Sequence, residues 1–373
     1  MTSCHDSGTP ITRRRAVRGL SLAGLGAGLC GNRLLAAEGK QVDRKAPMLV
    51  GVDAWSLSFA CGVRREFKPA RRIGAADILE KVRRWGLKGA QVEVPQMPKL
   101  GSPEFRTLQR KIADAGLYWE VSAGMVQNEA GVRLAMEYNL ALGSKVVRAF
   151  MEGFGIQFKP ISLDDYVSEA IAHIRNLLPE FENRGLYLCL ENHGGLRMKH
   201  LRRVLKTFPN EHLGINLDTG NAVLTLEDPV EVANELAPRT YTCHLKDWNL
   251  IRCPEGLIAR GCASGEGVVD LKAIVEILRA KAPQDRPLHL SIESPQEHLV
   301  LKMLTAEFWR GHGDVTGREL GNMLRLAEKR NMPIQGEYRI AALRGEGEST
   351  ILAEEEAAIA RSVAYCRDVL HLL

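Results

Sequence analysis

The 373-residue sequence lacks the cysteine pattern of a disulfide-stabilised framework. Its eight cysteines form no Cys-x-x-Cys pair, and two of them, Cys189 and Cys243, lie inside predicted strands. Disulfide frameworks are typical of short exported domains that cannot build a large core, and this chain is far longer than those domains. We therefore expect mostly buried, unoxidised thiols. If the protein is exported, a loop bridge between Cys253 and Cys262 is a second interpretation.

A strong charge of either sign is also missing. The formal net charge is only +5, from 50 lysines and arginines against 45 aspartates and glutamates. Most of this excess lies in the first 37 residues, which the mature protein is expected to lose. A basic excess over the folded part would favour a nucleic-acid partner or an anionic membrane surface. The composition gives no such indication, so we expect no nucleic-acid partner.

No apolar segment of the N-terminal region is long enough to cross a bilayer as a stable helix. The run TRRRAVR, Thr12–Arg18, precedes a short glycine-rich apolar stretch, and Ala36 and Ala37 offer small residues for cleavage. The Thr-Arg-Arg pattern resembles a twin-arginine export leader, although Ala16 stands where phenylalanine or leucine is usual. We therefore predict an export signal over residues 1–40, a linker over residues 41–47, and a periplasmic protein without lasting membrane insertion. The alternative is a disordered basic tail on a cytoplasmic protein.

From Met48 onward, short apolar segments alternate with amphipathic ones. Several amphipathic segments end near a glycine, which is the usual stop signal of a helix, and an apolar strand follows. Eight such strands are predicted before residue 294, with helices between them. A closed (β/α)8 TIM barrel requires this number and order of strands. The predicted fold class is therefore α/β, with one domain over residues 48–373.

Two further expectations concern the later part of the chain. The segment Asn249–Val269 is predicted as a long irregular loop after the seventh strand. From about residue 297 the chain exceeds what the last barrel helix needs, and amphipathic helices are predicted over Gly317–Arg330 and Ile351–Leu373. We expect one of them to close the barrel and the other to pack outside it, which gives a C-terminal helical extension.

The last four predicted strands each end at a side chain that can bind a metal. In a parallel barrel the carboxyl ends of successive strands meet at one rim, so these side chains are expected to converge. Carboxylates with one imidazole suit a hard divalent cation: Mn²⁺ is the expected ion, with Mg²⁺, Co²⁺ or Zn²⁺ as alternatives. The four side chains are Glu191 in LYLCLENHGG, Asp218 in LGINLDTGN, His244 in TYTCHLKDW and Glu293 in PLHLSIESP.

Taken together, the phrases LENHGG, LDTGN, HLKDW, GEGVVD and SIESP resemble the xylose-isomerase-like barrels, and within them the sugar isomerase and epimerase branch. The resemblance extends over roughly residues 48–330. It implies that Glu191, Asp218, His244 and Glu293 bind one divalent metal ion, and that Glu191 and Glu293 also form the acid–base pair. It further implies a small carbohydrate substrate, and a homo-oligomer is left open.

Proton transfer next to a sugar carbonyl explains why these residue types occur together. Removing the proton creates an enediolate, and a metal chelated by the substrate oxygens stabilises its charge. Two carboxylates on opposite faces of one carbon give epimerisation, whereas one base moving a proton between two carbons gives isomerisation. We therefore predict a divalent-metal-dependent sugar isomerase or epimerase. The alternatives are a metal-dependent lyase or hydratase acting on a keto-sugar or inosose, and a non-catalytic exported sugar-binding barrel.

Further residues are expected around the mouth of the barrel. Arg148 on the fourth strand is predicted to support the site by pairing with Glu191 or Glu93. Others are predicted to contact substrate, because they end the second strand, follow the metal ligands, or lie in a turn whose glycines allow close backbone approach. The substrate-binding candidates are Glu93, His193, Asn221, Lys246, Asp247 and Glu266.

Asn221 departs from the ketose 3-epimerases, which carry a histidine three residues after the aspartate of the sixth strand. Asparagine can donate to a substrate oxygen but does not titrate near neutral pH, so a ketohexose 3-epimerase identity is not inferred. Apurinic endonuclease activity is disfavoured because residues 48–148 contain no histidine, and that enzyme of the same barrel class needs additional histidine ligands. Xylose isomerase itself is disfavoured because the early strands lack a histidine–aspartate pair.

Overall fold

The computed structural model describes residues 44–64, 67–152, 159, 162–329 and 338–373. In these residues eight parallel strands form a near-closed barrel, and two more strands extend it at one side. The predicted α/β barrel class is therefore confirmed. The predicted export signal lies outside the described residues, and only residues 44–47 of the predicted linker are described. No helix within the described ranges is long and apolar enough to span a membrane.

Strands and helices alternate along the chain. The strands are β1 (Met48–Asp53), β2 (Gly89–Glu93), β3 (Tyr118–Ser122), β4 (Val146–Ala149), β5 (Tyr187–Glu191), β6 (Leu213–Asp218), β7 (Thr240–Cys253), β8 (Gly256–Cys262), β9 (Leu288–Glu293) and β10 (His298–Leu301). The helices are α1 (Ala75–Arg84), α2 (Pro103–Asp114), α3 (Glu129–Leu142), α4 (Leu163–Arg184), α5 (Met198–Thr207), α6 (Asn221–Leu224), α7 (Pro229–Leu236), α8 (Leu271–Lys281), α9 (Ala306–Arg310), α10 (Gly317–Lys329) and α11 (Glu348–Asp368).

Parallel pairing connects the barrel strands in the order β3-β2-β1-β9-β7-β6-β5-β4. The two outer strands of this order meet just beyond their ends, where the Phe150 N–H donates to the Gly124 carbonyl at 3.0 Å. β1 and β9 pair along their length, beginning with Met48 opposite Leu288. The ring therefore brings the carboxyl ends of all barrel strands to one rim, which is where barrel enzymes carry their sites.

Local sequence signals account for the ends of several helices. The side chains of Ser102, Asn128 and Ser162 accept hydrogen bonds from backbone N–H groups in the first turns of α2, α3 and α4. Gly143 and Gly185 end α3 and α4 in the left-handed conformation, with φ of 74° and 65°. Residues with a Cβ avoid that conformation, so glycine is the natural stop at these positions. The predicted helix–glycine–strand unit is therefore present.

The prediction of an irregular loop over Asn249–Val269 is wrong. β7 continues past the barrel to Cys253 and turns back as β8, and β10 adds a third antiparallel strand. Apolar side chains of this sheet, such as Leu250 and Ile258, are buried. The contacts of β7 and β8 include α10 and β10, which come much later in the chain. Because the covering elements are distant in sequence, local periodicity did not indicate a buried sheet.

The antiparallel hairpin of β7 and β8 also shows whether Cys253 and Cys262 can form a disulfide. Cys253 pairs with Gly256 at the tip of the hairpin, while Cys262 pairs with Asp247 near the barrel. An extended strand from Gly256 to Cys262 spans about 20 Å, which is far beyond the reach of a disulfide. The geometry therefore excludes this bridge. The described cysteines elsewhere in the chain are buried: Cys61, Cys189, Cys243 and Cys366.

The C-terminal helices divide as expected, since α11 closes the barrel and α10 packs on the hairpin strand β7. Helix α11 lies against α1, where Glu356 pairs with Lys81. Its buried Glu355 accepts hydrogen bonds from the N–H groups of Phe59 and Ala60 at 2.7 and 3.0 Å. These bonds tie the last helix of the chain to the loop that follows its first strand.

Candidate metal centre

Four side chains at the rim of the barrel converge. Each offers one ligand atom, and these atoms all lie within 4.8 Å of one another. The strand register explains the convergence, because Asp218 in β6 lies opposite His244 in β7, and Glu293 ends β9 opposite Lys246 in β7. Glu191 ends the neighbouring strand β5. Between 1% and 4% of the surface of each of the four residues is exposed, so the cluster is shielded from solvent.

Two of the ligand atoms, Asp218 Oδ2 and His244 Nδ1, have no hydrogen-bond partner within the described part of the chain. The Nδ1 atom lies 2.7 Å from Glu293 Oε2 and 3.6 Å from Glu191 Oε1, but it is not aligned with either as a hydrogen bond. Buried unsatisfied polar atoms are rare in folded proteins, and converging ones mark a place for an ion. The buried Glu/Asp/His/Glu cluster therefore suits a divalent metal ion.

The orientation of the imidazole ring agrees with a ligand role. His244 Nε2 lies 2.8 Å from Gln91 Oε1. An amide oxygen only accepts, so Nε2 carries a proton, and Nδ1 is the nitrogen that faces the carboxylates. Asp53 Oδ2, which is 3.7 Å from Nε2, places a further negative charge on the protonated side of the ring.

Two cations balance the carboxylates of the cluster. Arg148 binds Glu191 Oε2 through Nε at 2.5 Å and also contacts it through Nη2. Lys246 Nζ lies 2.7 Å from Glu293 Oε1 and 3.5 Å from Asp218 Oδ2. All of these side chains are buried, so solvent ions screen the pairs only weakly. Removing either cation would leave a carboxylate buried without its partner.

The pKa values of the cluster show how burial and charge compete. Burial opposes ionisation of Glu191, but the Arg148 guanidinium outweighs it and holds the pKa of Glu191 well below its usual range. At Glu293 burial is outweighed by Lys246 and His244, which lower the pKa to about 2. Burial disfavours a charged imidazole, yet the negative charges of Glu293 and Glu191 raise the pKa of His244 well above its usual value. The centre therefore favours a positive charge at its middle, as a metal site does.

A cavity of about 200 Å³ opens beside the cluster, and Glu191 and Glu293 form part of its wall. The rings of Trp55 and Phe150 give it two apolar surfaces. Its volume lies below the usual range for drug-sized ligands and suits a small polar molecule. The other lining side chains are charged or polar: Asp53, Glu93, Arg148, His193 and Lys246.

Three of the predicted substrate-binding residues, Glu93, His193 and Lys246, line this cavity. Asn221 lies against the ligands instead. Its Nδ2 donates to Glu191 Oε1 at 3.2 Å, and its Oδ1 accepts from Lys246 Nζ at 3.3 Å. Asn221 therefore connects a ligand carboxylate to the lysine that pairs with another ligand. The roles of these four residues toward a substrate stay predictions.

Asp247 and Glu266 do not line the cavity. The Asp247 carboxylate accepts hydrogen bonds from backbone N–H groups, including those of Gly265 and Gly267 at 3.0 and 2.8 Å, and fastens the loop after β8 to β7. A Cβ on Gly267 would lie 2.1 Å from Asp247 Oδ1, which explains the glycine. Glu266 pairs with Arg361 of α11 at 2.6 Å. The geometry gives these two residues structural contacts and no contact with the cavity.

Polar residues of the early strands were missed by the sequence interpretation. Asp53 ends β1 on the cavity wall, and the signal that marked the ligands, a carboxylate at the end of an apolar strand, applies to it as well. Gln91 in β2 and Glu120 in β3 are fully buried. Side chains alternate between the two faces of a strand, so polar residues within these apolar runs could have indicated a polar barrel interior.

Comparison with known proteins identifies a family whose model matches this sequence. The model of a family described as xylose isomerase-like TIM barrel matches residues 79–307. A 3-oxo-isoapionate decarboxylase of Pectobacterium atrosepticum is 28% identical over 251 residues, which are 66% of this chain and 85% of that protein.

Two solved structures share the fold. D-psicose 3-epimerase from Clostridium cellulolyticum H10, solved with D-tagatose, aligns with a TM-score of 0.53 at 12% identity, over 87% of this chain and 99% of that chain. A xylose isomerase-like TIM barrel protein from Mycobacterium smegmatis, in complex with magnesium, aligns with a TM-score of 0.50 at 16% identity, over 76% of this chain and 98% of that chain. At these identities the likeness concerns the fold alone.

Proposed function

The chain belongs to the xylose isomerase-like TIM barrel family, and from that membership we propose that it is a divalent-metal-dependent sugar isomerase or epimerase working through an enediolate. One observation carries the proposal: Glu191 and Glu293 belong both to the buried ligand cluster and to the wall of the small polar cavity. A carboxylate in both places can move a proton next to the atoms at which negative charge develops.

The four residues that would hold the ion are Glu191, Asp218, His244 and Glu293. A divalent ion bound there supplies Lewis-acid stabilisation to negative charge on the substrate oxygens. The ligand set is compatible with Mn²⁺, Mg²⁺, Co²⁺ or Zn²⁺, and the choice of Mn²⁺ stays a prediction.

We assign proton transfer to Glu191 and Glu293. Burial opposes their ionisation, but Arg148 and Lys246 keep the pKa of each below its usual range, so both are ionised at neutral pH. An ionised carboxylate within reach of a carbon acid can accept its proton. The two residues end β5 and β9, with β6 and β7 between these strands in the barrel. Their carboxylates can therefore approach a bound substrate from two sides, which suits epimerisation of one carbon.

The rest of the cavity suits a polyhydroxylated carbonyl compound. Arg148 and Lys246 supply hydrogen-bond donors, whereas Asp53 and Glu93 supply acceptors, so hydroxyl groups of either polarity find a partner. Trp55 offers an aromatic face for the apolar side of a sugar ring. Its Nε1–H donates to Glu297 at 2.9 Å, which fixes the orientation of the ring.

A second candidate is a metal-dependent carboxy-lyase acting on a keto-sugar acid, which falls in the predicted lyase alternative. It is favoured by the 28% identity to a protein named as a decarboxylase. When the bond between a carbon and a carboxylate β to a carbonyl breaks, CO₂ leaves and the electron pair remains as an enolate, which then takes a proton on carbon. The same centre would stabilise that enolate. Arg148 and Lys246 would attract the carboxylate of such a substrate.

Metal analysis and a substrate panel test both candidates. Elemental analysis of the purified wild-type protein is expected to find a divalent ion, and Glu191→Gln is expected to retain less of it. Keto-sugars, aldo-sugars and 3-keto sugar acids are then incubated with the Mn²⁺-loaded protein in D₂O. Deuterium on the α-carbon with the carbon skeleton intact supports the isomerase or epimerase, and release of CO₂ supports the carboxy-lyase. A wild-type protein that takes up no metal and only binds sugar would overturn the proposal in favour of the sugar-binding barrel.

From the N-terminal sequence alone we also propose export to the periplasm. Phosphosugars are scarce outside the cytoplasm, so the substrate would be a free, keto or glycosidic sugar. Cell fractionation of the full chain tests this, with a variant carrying Arg13→Lys and Arg14→Lys as the comparison. The variant is expected to stay in the cytoplasm as the uncleaved precursor. Equal distribution of both proteins would contradict export through this leader.

A further inference from the structure

Two polar side chains in the barrel interior connect to the ligand histidine. Gln91 in β2 lies opposite Glu120 in β3, and neither residue has exposed surface. Gln91 Nε2 donates to Glu120 Oε2 at 2.7 Å, and Gln91 Oε1 accepts from His244 Nε2 at 2.8 Å. These bonds form a continuous chain from the interior of the barrel to one ligand of the metal centre.

Glu120 determines which groups donate and which accept in this series of hydrogen bonds. Its carboxylate takes hydrogen bonds from Gln91, from Thr242 Oγ1 at 3.0 Å and from His289 Nδ1 at 2.6 Å. An ionised carboxylate accepts and does not donate, so Gln91 must turn its NH₂ group toward Glu120 and its oxygen toward His244. With the amide reversed, the oxygen would face the carboxylate, and the NH₂ group would require a lone pair on His244 Nε2. The proton would then sit on Nδ1, the atom that faces the other ligands.

Glu120, at which this series of hydrogen bonds begins, is held in place by a partner that is itself fixed. The ring of His289 stacks on that of Tyr118 with the centroids 3.9 Å apart, and Tyr118 hydroxyl lies 3.1 Å from Ser291 Oγ. Apolar residues of similar volume would fill such an interior at a lower desolvation cost than a buried ionised group. The presence of Glu120 is therefore better explained by the orientation it imposes on Gln91 than by packing.

We propose that Glu120 and Gln91 are positioning residues that hold His244 in the tautomer whose Nδ1 binds the divalent ion. The inference rests on the proposed metal-dependent function, since it concerns a ligand of that ion. A neutral imidazole distributes its proton between two nitrogens, and only one distribution leaves Nδ1 available to the centre. Partners of the second nitrogen typically contribute a factor of about 10 to 100 to metal affinity.

The direct test is Gln91→Leu, which removes the oxygen that holds the Nε2 proton. We expect its Mn²⁺ affinity, measured by isothermal titration calorimetry, to fall by a factor of about 10 to 100. Ser122→Ala is the matched control, because Ser122 Oγ bonds the same Gln91 oxygen at 3.1 Å without being part of the chain to His244. This control is expected to keep the wild-type affinity.

An exchange of the two polar groups tests the direction of the chain, and it remains informative if Gln91→Leu fails to fold. Glu120→Gln alone releases the amide at position 91 from its single orientation, and Gln91→Glu alone places two carboxylates against each other. The double variant Q91E/E120Q restores one direction, because the new carboxylate at position 91 accepts from both the neighbouring amide and His244 Nε2. We expect both single variants to bind Mn²⁺ more weakly and the double variant to recover.

The tautomer itself is read by ¹⁵N NMR of ¹⁵N-histidine-labelled protein loaded with Zn²⁺, which is diamagnetic. Wild type and Q91E/E120Q are expected to show His244 protonated on Nε2 only. Failure of the wild-type protein to bind any of Mn²⁺, Mg²⁺, Co²⁺ and Zn²⁺ would refute the proposed function. By contrast, wild-type binding together with unchanged affinity in the single variants, or no recovery in a folded double variant, would overturn this inference alone.

Discussion

The two halves of the barrel contribute to the centre in different ways. Strands β5, β6, β7 and β9 carry all four ligands, and each ligand lies where its strand reaches the rim. Strands β1 to β4 carry no ligand, yet they supply Asp53, Gln91, Glu120 and Arg148, which surround the ligands with charge and hydrogen bonds. The later half therefore supplies the side chains that would bind an ion, together with Lys246, and the earlier half supplies most of the groups that surround them.

This division suggests that the two halves respond differently to substitution. Removing a ligand from the later strands should remove the ion together with the chemistry. Changing a supporting residue from the earlier strands should leave the ligand set intact but alter its stability, orientation or affinity. The following variants test that contrast, from the largest expected effect to the smallest.

Glu293→Gln, in the later half, is expected to have the largest effect. It replaces a ligand and a proposed base by a neutral amide, so deuterium exchange at the substrate α-carbon should fall by a factor of about 10² to 10⁴, and metal retention should weaken. Exchange is followed by NMR in D₂O. Glu266→Gln is the matched control in the same half, because Glu266 pairs with Arg361 outside the cavity. Exchange that persists in Glu293→Gln would contradict its acid–base role.

Arg148→Met, in the earlier half, should mainly affect stability. It leaves Glu191 ionised and buried without its guanidinium partner, which is expected to lower the free energy of unfolding by about 3–5 kcal/mol. Urea unfolding of the metal-free protein at neutral pH measures this loss. Burial opposes but Arg148 lowers the pKa of Glu191, so the stabilisation is present above the pKa of an unfolded glutamate and disappears as the pH falls through the folded value. A loss that stayed equally large in strong acid would show that Arg148 acts through packing instead.

The ion itself should stabilise the protein in a pH-dependent way. At a free Mn²⁺ concentration 100 times the Kd, the free energy of unfolding should rise by about 2.7 kcal/mol over the EDTA-treated protein. Burial, partly offset by Lys246, raises the pKa of Asp218 to about 6, so protons should compete with the ion below that pH and affinity should increase as the pH rises through it. Titration calorimetry at pH 5.5 and 7.5 measures the difference. Affinity independent of pH would argue against Asp218 as a ligand.

The smallest effect is expected for Glu152→Gln. Glu152 follows β4 and is buried, and burial raises its pKa to about 9 even though the Gly195 N–H donates to its Oε1 at 2.9 Å. The folded carboxyl is therefore neutral at pH 7, and an amide of the same shape should change stability by less than about 1 kcal/mol at pH 4, where the unfolded side chain is protonated as well. Because its folded pKa exceeds the unfolded one, wild-type stability should fall as the pH rises from about 4.5 to 9, and the variant should lose this slope. Urea midpoints at pH 6 and 9 provide the check; identical slopes would refute it.

The parts that the sequence predicted are those with a strong local signal. Apolar strands that end at Glu191, Asp218, His244 and Glu293 indicated both the barrel and the convergence of the ligands, because strand ends in a parallel barrel share one rim. Glycines near the ends of amphipathic segments indicated where helices stop, as Gly185 does for α4.

Other features depend on partners that are distant in sequence. The hairpin of β7 and β8 is buried by α10 and β10, so its short apolar segments looked like a loop without them. The roles of Gln91 and Glu120 could not be predicted, because they depend on the strand register that places the two side chains beside each other and Gln91 next to His244. Asp247 follows His244 in sequence and Glu266 lies between two glycines, but their side chains bind the backbone of the loop after β8 and Arg361 of α11. Proximity in sequence therefore indicated the ligands better than their surroundings.

The pairing of β1 with β9, and the bonds from Glu355 to the loop after β1, have a consequence for biosynthesis. They join the first described strand to the last barrel strand and the loop after β1 to α11, so the barrel cannot close before β9 has been synthesised, and this loop gains its last partner only with α11. Contacts between such distant segments form slowly, because a long loop must be ordered before they stabilise anything. A product that terminates before Glu348 would leave the start of the barrel uncovered. Such a product should therefore be less stable than the full chain, because the N–H groups of Phe59 and Ala60 lose their acceptor.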